Sequence, residues 1–142
     1  MNIERLKESN IKDILVYNGK GVNGFKMMLI LDNGKILYFN SLWMHYFDEE
    51  DFKSDYNFER LDINYGSIEN IYCFEGVGFY IMLSTGYIIH LYEEVFDFKE
   101  PNYKYTFKIV SNKNKEIYNE ILNDIIEMEE SDDIFYTPPK FW

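Results

Sequence analysis

The stretch Phe25-Lys26-Met27-Met28-Leu29-Ile30-Leu31-Asp32-Asn33-Gly34-Lys35-Ile36-Leu37-Tyr38-Phe39 decides the fold. Two apolar runs flank a polar break that ends in glycine. Asn33-Gly34 is a type I′ turn signal, because both residues tolerate the positive φ that such a turn demands, so the runs read as the two arms of a β-hairpin. Phe25, Met27, Leu29 and Leu31 share one face, while Met28 and Ile30 keep the other face apolar. This is the pattern of a strand covered on both sides.

The same order of features recurs further along the chain. Ile11-Lys12-Asp13-Ile14 precedes the first hairpin, and Ile68-Glu69-Asn70-Ile71 precedes a second one. Gly24-Phe25 leads to Met28-Leu29, and Gly78-Phe79 leads to Met82-Leu83. Ser84-Thr85-Gly86 answers Asp32-Asn33-Gly34, and Ile88-Ile89-His90-Leu91 answers Ile36-Leu37-Tyr38-Phe39. Asp51-Phe52-Lys53 with Asp55-Tyr56-Asn57-Phe58 is matched by Asp97-Phe98-Lys99 with Asn102-Tyr103-Lys104-Tyr105. This predicts an internal duplication with repeats at 11–65 and 68–111, each a meander of three or four strands related by a pseudo-twofold axis. On this alignment Leu42 to Phe47 has no counterpart in the second repeat. Tyr103 to Val110 alternates, with Tyr103, Tyr105, Phe107 and Ile109 opposite Lys104, Thr106 and Lys108, as in a half-exposed antiparallel strand.

After the second repeat the period changes. Ile117, Ile121, Ile125 and Met128 form a stripe at helical spacing, with Tyr118, Leu122 and Ile126 beside it, and predict a helix over 113–130. Ser111, Asn112 and Asn114 supply capping residues before it. Pro138-Pro139 predicts an irregular tail, 131–142, carrying Phe135, Tyr136, Phe141 and Trp142. The expected architecture is α+β and mainly antiparallel β: two similar meanders and one C-terminal helix in a single domain spanning 1–142. A seven-stranded arrangement capped by the helix fits the same pattern. It resembles a pleckstrin-homology-like domain in element order. Phosphoinositide binding would need a basic pocket, which the acidic composition opposes.

The chain has 142 residues, 46% hydrophobic, with 14 Lys and Arg against 25 Asp and Glu, a formal charge of −11. Residues 1–41 carry a small basic excess, whereas Glu116 to Asp133 holds eight acids and no base. Such a surface repels nucleic-acid phosphates and anionic membranes and complements a basic protein. Glu4 and Glu8 interrupt the start and no apolar block follows, so no signal peptide is expected. One cysteine excludes an internal disulfide, and a cytoplasmic location is expected. One cysteine and two histidines predict neither a zinc site nor another cofactor.

Chemistry-bearing residues are few. His90 lies within an apolar run and reads as a structural histidine. Cys73 has no cationic neighbour in sequence and reads as a buried apolar group. Gly19-Lys20-Gly21 lacks the phosphate-loop pattern and reads as a turn. No catalytic residue is expected. The partner-binding surface is expected at Asp48, Glu49, Glu50 and Asp51, with Trp43, Tyr46 and Phe47 as apolar anchors and Glu93, Glu94 and Asp97 nearby. Acidity, small size and absent catalytic groups resemble bacterial immunity proteins and phage counter-defence proteins in general character. They imply an inhibitor of a basic, nucleic-acid-acting protein. The alternative is an assembly protein that oligomerises through sheet edges and the aromatic tail.

Overall fold

A computed structural model of the chain describes residues 6–18, 25–40, 43–54, 56–74, 77–95 and 103–130. Among the described residues nine strands form two antiparallel sheets. The first sheet contains β1 (Ile11–Asn18), β2 (Phe25–Leu31), β3 (Lys35–Asn40), β4 (Trp43–Asp48) and the two-residue β5 (Glu59–Arg60), in the order β4-β3-β2-β1-β5. The second contains β6 (Ile68–Phe74), β7 (Gly78–Leu83), β8 (Tyr87–Val95) and β9 (Tyr103–Ser111), in the order β6-β7-β8-β9. One helix, α1 (Lys115–Glu130), follows. The fold is therefore α+β, mainly antiparallel β, built from two meanders and a C-terminal helix. Nine described strands replace the seven of the alternative arrangement. Among the described residues no helix is long and apolar enough to cross a membrane.

The two meanders match in detail. Ile11 faces Leu31 and Ile68 faces Leu83, and in both ladders the register shifts within the next two residues, at Asp13 and Asn70. Each bulge is held the same way: Asp13 Oδ1 accepts the Ile14 N–H at 3.1 Å, and Asn70 Oδ1 accepts the Ile71 N–H at 2.9 Å. Asp13 also accepts from Arg60 Nε at 3.0 Å and from the Tyr65 hydroxyl at 3.1 Å, which ties β5 and the following loop to β1. Both hairpin turns close by a glycine N–H donating three residues back, Gly34 to Leu31 at 3.3 Å and Gly86 to Leu83 at 3.1 Å. Between the meanders, the Ile11 N–H donates to Gly66 O and the Ile68 N–H to Ser9 O, each at 2.9 Å. These two bonds exchange under the equivalence of Ile11 with Ile68, the pattern that a local twofold relation produces.

Four expectations are corrected by this register. The 32–34 turn is not type I′: Gly34 has φ +81°, but Asn33 does not have positive φ. It is a three-residue loop with a left-handed glycine, which suits the strand twist equally well. Counted from the turns, Phe79 corresponds to Met27 and not to Phe25. A shift of two residues preserves which face a side chain takes, so both phenylalanines still point inward. Trp43–Asp48 is not an insertion, because β4 pairs with β3 as β9 pairs with β8. The match of 51–58 to 97–105 is compositional only. Residues 52–58 follow β4, whereas Tyr103 opens β9 and 96–102 lie outside the described residues.

The sheets share one core. Ile14, Met27, Leu29, Leu37, Phe39 and Met44 from the first meet Ile71, Phe79, Ile81, Ile89 and Leu91 from the second. Phe39 and Phe79 cross edge-on at 5.1 Å between ring centres. The opposite face of the second sheet, with Phe74, Tyr80, Ile88 and Val110, packs against Ile121, Ile125 and Met128 of α1. Tyr118 and Leu122 border that contact. Ile117 and Ile126 do not join it: they are 45% and 51% exposed. The buried stripe runs through 121, 125 and 128. Ile126 lies about 100° around the helix from Ile125, whereas Ile117 is in line with the stripe but sits in the first turn, one turn before Ile121. The tail, 131–142, lies outside the described residues.

Candidate functional site

Among the described residues no helix covers the opposite face of the first sheet. Lys26, Met28, Tyr38, His45 and Phe47 alternate with the core residues and so point to this face. After β4 the chain makes one 3-10 turn, Glu49–Asp51, and then crosses the face with Phe52, Tyr56 and Phe58. Phe52 stacks on Phe47 with ring centres 5.5 Å apart and lies 5.3 Å from Tyr38. Tyr56 packs on Tyr17 at 4.6 Å. Lys26 is only 4% exposed, yet it is an amine among rings. Its Nζ donates to Asn40 Oδ1 at 3.0 Å and sits 4.8 Å above the Tyr56 ring. Burial lowers the Lys26 pKa and pushes the Tyr38 hydroxyl up to about 12.

This covering is incomplete. It leaves a groove of about 740 Å³ lined by Tyr38, His45, Phe47, Phe52 and Tyr56, with Asp51, Lys53 and Ser54 on its polar side. Ser54 Oγ accepts the Tyr56 N–H at 3.1 Å, which shapes the segment. Burial lowers the pKa of His45, so the imidazole is neutral at pH 7. A shallower hollow next to the turn is lined by Gly34, Asp48, Glu49 and Glu50. Asp48 makes an ion pair with Lys35 across the β3–β4 ladder, and this contact raises the lysine pKa. Glu50 and Asp51 are exposed.

The residues expected to bind a partner are therefore divided. Asp48 to Asp51 form one acidic turn, Phe47 and Asp51 line the groove, and Trp43 stands 55% exposed at the far end of β4. Tyr46 takes the other face and packs against the core between the sheets. Glu93 and Glu94 are not at the position equivalent to the acidic turn. That position follows Ser111, opposite Tyr87, whereas Glu93 pairs with Tyr105 and lies about 20 Å further along β8 at ~3.3 Å per residue. Their side chains, and Asp97, lie outside the described residues. The groove as a unit was not apparent in the sequence. Alternation on β3 and β4 could have grouped Tyr38 with His45 and Phe47. Nothing in the spacing of Phe52 and Tyr56 shows that the chain folds back over them.

The other reactive groups are enclosed. Cys73 is buried and its thiol is pushed up to about 12 by desolvation. His90 stacks on Tyr80 at 4.1 Å and is flanked by Tyr92 at 5.0 Å. Its Nε2 lies 3.3 Å from Val77 O, and its buried Nδ1 has no hydrogen-bond partner among the described residues. Burial lowers its pKa to about 4. Lys108 acts in the same direction and the Val77 carbonyl opposes both. Among the described residues no group of three His, Cys, Asp or Glu side chains is placed to hold a metal ion.

The His90 environment has a consequence for stability. A histidine with a depressed folded pKa stays neutral in the fold and takes up its proton on unfolding, so its stabilising contribution is present above the unfolded value near 6.5 and is lost as pH falls towards 4. Between pH 7 and pH 4.5 the protein should lose about 2 kcal/mol more than His90→Phe, measured by urea unfolding at both values. His45 is common to both proteins and cancels. Equal losses would show that His90 is not held neutral by its surroundings.

Comparison with known protein families, with curated proteins and with solved structures gives no match to this chain.

Proposed function

We propose that this protein is a non-catalytic, acidic binding module that acts in the cytoplasm and neutralises a basic protein partner, one that itself acts on nucleic acid, as immunity and counter-defence proteins do. The observation that carries this reading is the continuity of charge and aromatic surface along β4. Exposed Trp43 stands at one end of the strand, the Phe47 ring opens onto the groove, and the Asp48–Asp51 turn closes the other end. Carboxylates in this position would occupy sites meant for phosphates, and the rings would hold the complex once formed. His90 and Cys73 are enclosed, which leaves His45 as the accessible acid–base group of either type among the described residues.

The test uses a partner recovered by pull-down and binding kinetics at two salt concentrations. Neutralising Asp48, Glu49, Glu50 and Asp51 together to Asn or Gln should lower the association rate about tenfold at low salt and flatten its salt dependence. Trp43→Ala should act mainly on dissociation. An association rate unchanged by the fourfold neutralisation would reject the reading.

One observation favours the assembly alternative. Strand β4 is an edge strand with neither lysine nor proline, whereas its counterpart β9 carries Lys104 and Lys108, residues that discourage edge pairing. Light scattering that returns a single monomer mass across concentrations would exclude it.

A further inference from the structure

We infer that the groove on the first sheet receives an arginine side chain of the basic partner, an inference that rests on the reading above and gives it a chemical anchor. The two sheets differ at this point. On the second, α1 seals the aromatic face, so Phe74 and Tyr80 are buried. On the first, a short segment covers the same region and leaves the rings of Tyr38, Phe47, Phe52 and Tyr56 open to a groove of about 740 Å³, within the range of ligand pockets.

The molecule already places a cation on one of these rings, since Lys26 Nζ lies 4.8 Å above Tyr56. The charge around the groove has a definite sign. Lys35 takes up Asp48, and Lys26 and Lys53 offset two further carboxylates, which leaves the Asp48–Asp51 turn with an excess of one negative charge. A phosphate is disfavoured there. A guanidinium suits it, because its plane stacks on aromatic faces while its N–H fork meets a carboxylate such as Asp51. An ammonium offers the charge without the plane. His45, kept neutral by burial, adds no competing positive charge.

The experiment titrates the full chain with hexa-arginine and hexa-lysine, peptides of equal charge, by calorimetry and by aromatic-region NMR. Hexa-arginine should bind about 3- to 10-fold more tightly and should move the Phe52 and Tyr56 ring signals. Phe52→Leu should abolish the preference and leave hexa-lysine binding unchanged. Asp51→Asn, at an exposed position, should weaken arginine binding without risk to the fold. Equal affinity for the two peptides, or unmoved Phe52 and Tyr56 signals, would overturn the inference while leaving the acidic-surface reading intact. Arginine selectivity combined with an unchanged association rate in the fourfold neutralised protein would do the reverse.

Discussion

Gly78→Ala is expected to lower stability by about 3–5 kcal/mol, a large part of what a small domain has. Gly78 opens β7 with φ +115°. A Cβ there would lie 1.9 Å from the Leu91 carbonyl oxygen and 3.0 Å from its carbon. Both atoms belong to the backbone of β8, so no side chain can rotate away. Because β8 pairs with both β7 and β9, the strand cannot shift without disturbing two ladders. Gly34→Ala is the control. Its φ of +81° is also left-handed, but nothing lies within 4 Å of the added carbon. It should cost only the conformational term, about 1 kcal/mol. Urea unfolding of the two variants separates the effects, and equal losses would show that backbone conformation, not the close approach to Leu91, is what requires glycine.

Ile121→Asp is expected to cost about 4 kcal/mol or more. It removes a buried side chain from the contact between α1 and the second sheet, and it leaves a carboxylate among Phe74, Tyr80, Ile88 and Val110. The helix has little else to hold it. Its exposed surface carries Glu116, Glu120, Asp124, Glu127, Glu129 and Glu130. Glu116 in the first turn suits the helix dipole, but Glu127, Glu129 and Glu130 at the other end, with no base in the last turn, oppose it. Far-UV circular dichroism and urea unfolding should report the loss together. Ile117→Asp should change stability by no more than about 0.5 kcal/mol, since that side chain is exposed. A loss below about 1 kcal/mol for Ile121→Asp would reject the packing.

How much of this was legible depended on whether a feature was local. The turn residues at 32–34 and 84–86 announced both hairpins, and the period of 117–128 announced the helix, because each pattern lies within one element. Register was harder. Gly24-Phe25 and Gly78-Phe79 look alike, but a strand slipped by two residues keeps the same faces, so hydrophobic pattern alone could not detect the error. Rotation of the helix was also hidden: Ile117 fits the stripe as well as Tyr118 does, and only the shape of the opposing sheet chooses between them. The acidic run 48–51 was legible as charge. Its link to Tyr38 and Phe52 was not, because that contact is made when the chain doubles back across the sheet. Tyr46 beside Phe47 illustrates the same limit, since adjacent residues on a strand face opposite ways and one of the two had to turn inward.

The order of the strands also has a meaning in time. Apart from the β1–β5 pair and the bridge between Asn10 and Ser67, every ladder among the described residues joins strands that follow one another in the chain. Four of the five strands in the first sheet are complete once Asp48 has been synthesised. Its inner face, with Met27, Leu29, Leu37 and Phe39, meets its first second-sheet partners only with Ile68 and Ile71, and its set of partners is complete only when Phe107 and Ile109 have been made. At ribosomal rates of ~5–20 residues per second that gap of about sixty residues lasts roughly 3–12 s. During that interval the nascent chain displays an apolar sheet with an edge strand lacking any lysine, so the period of greatest danger for this protein comes before its second half is complete.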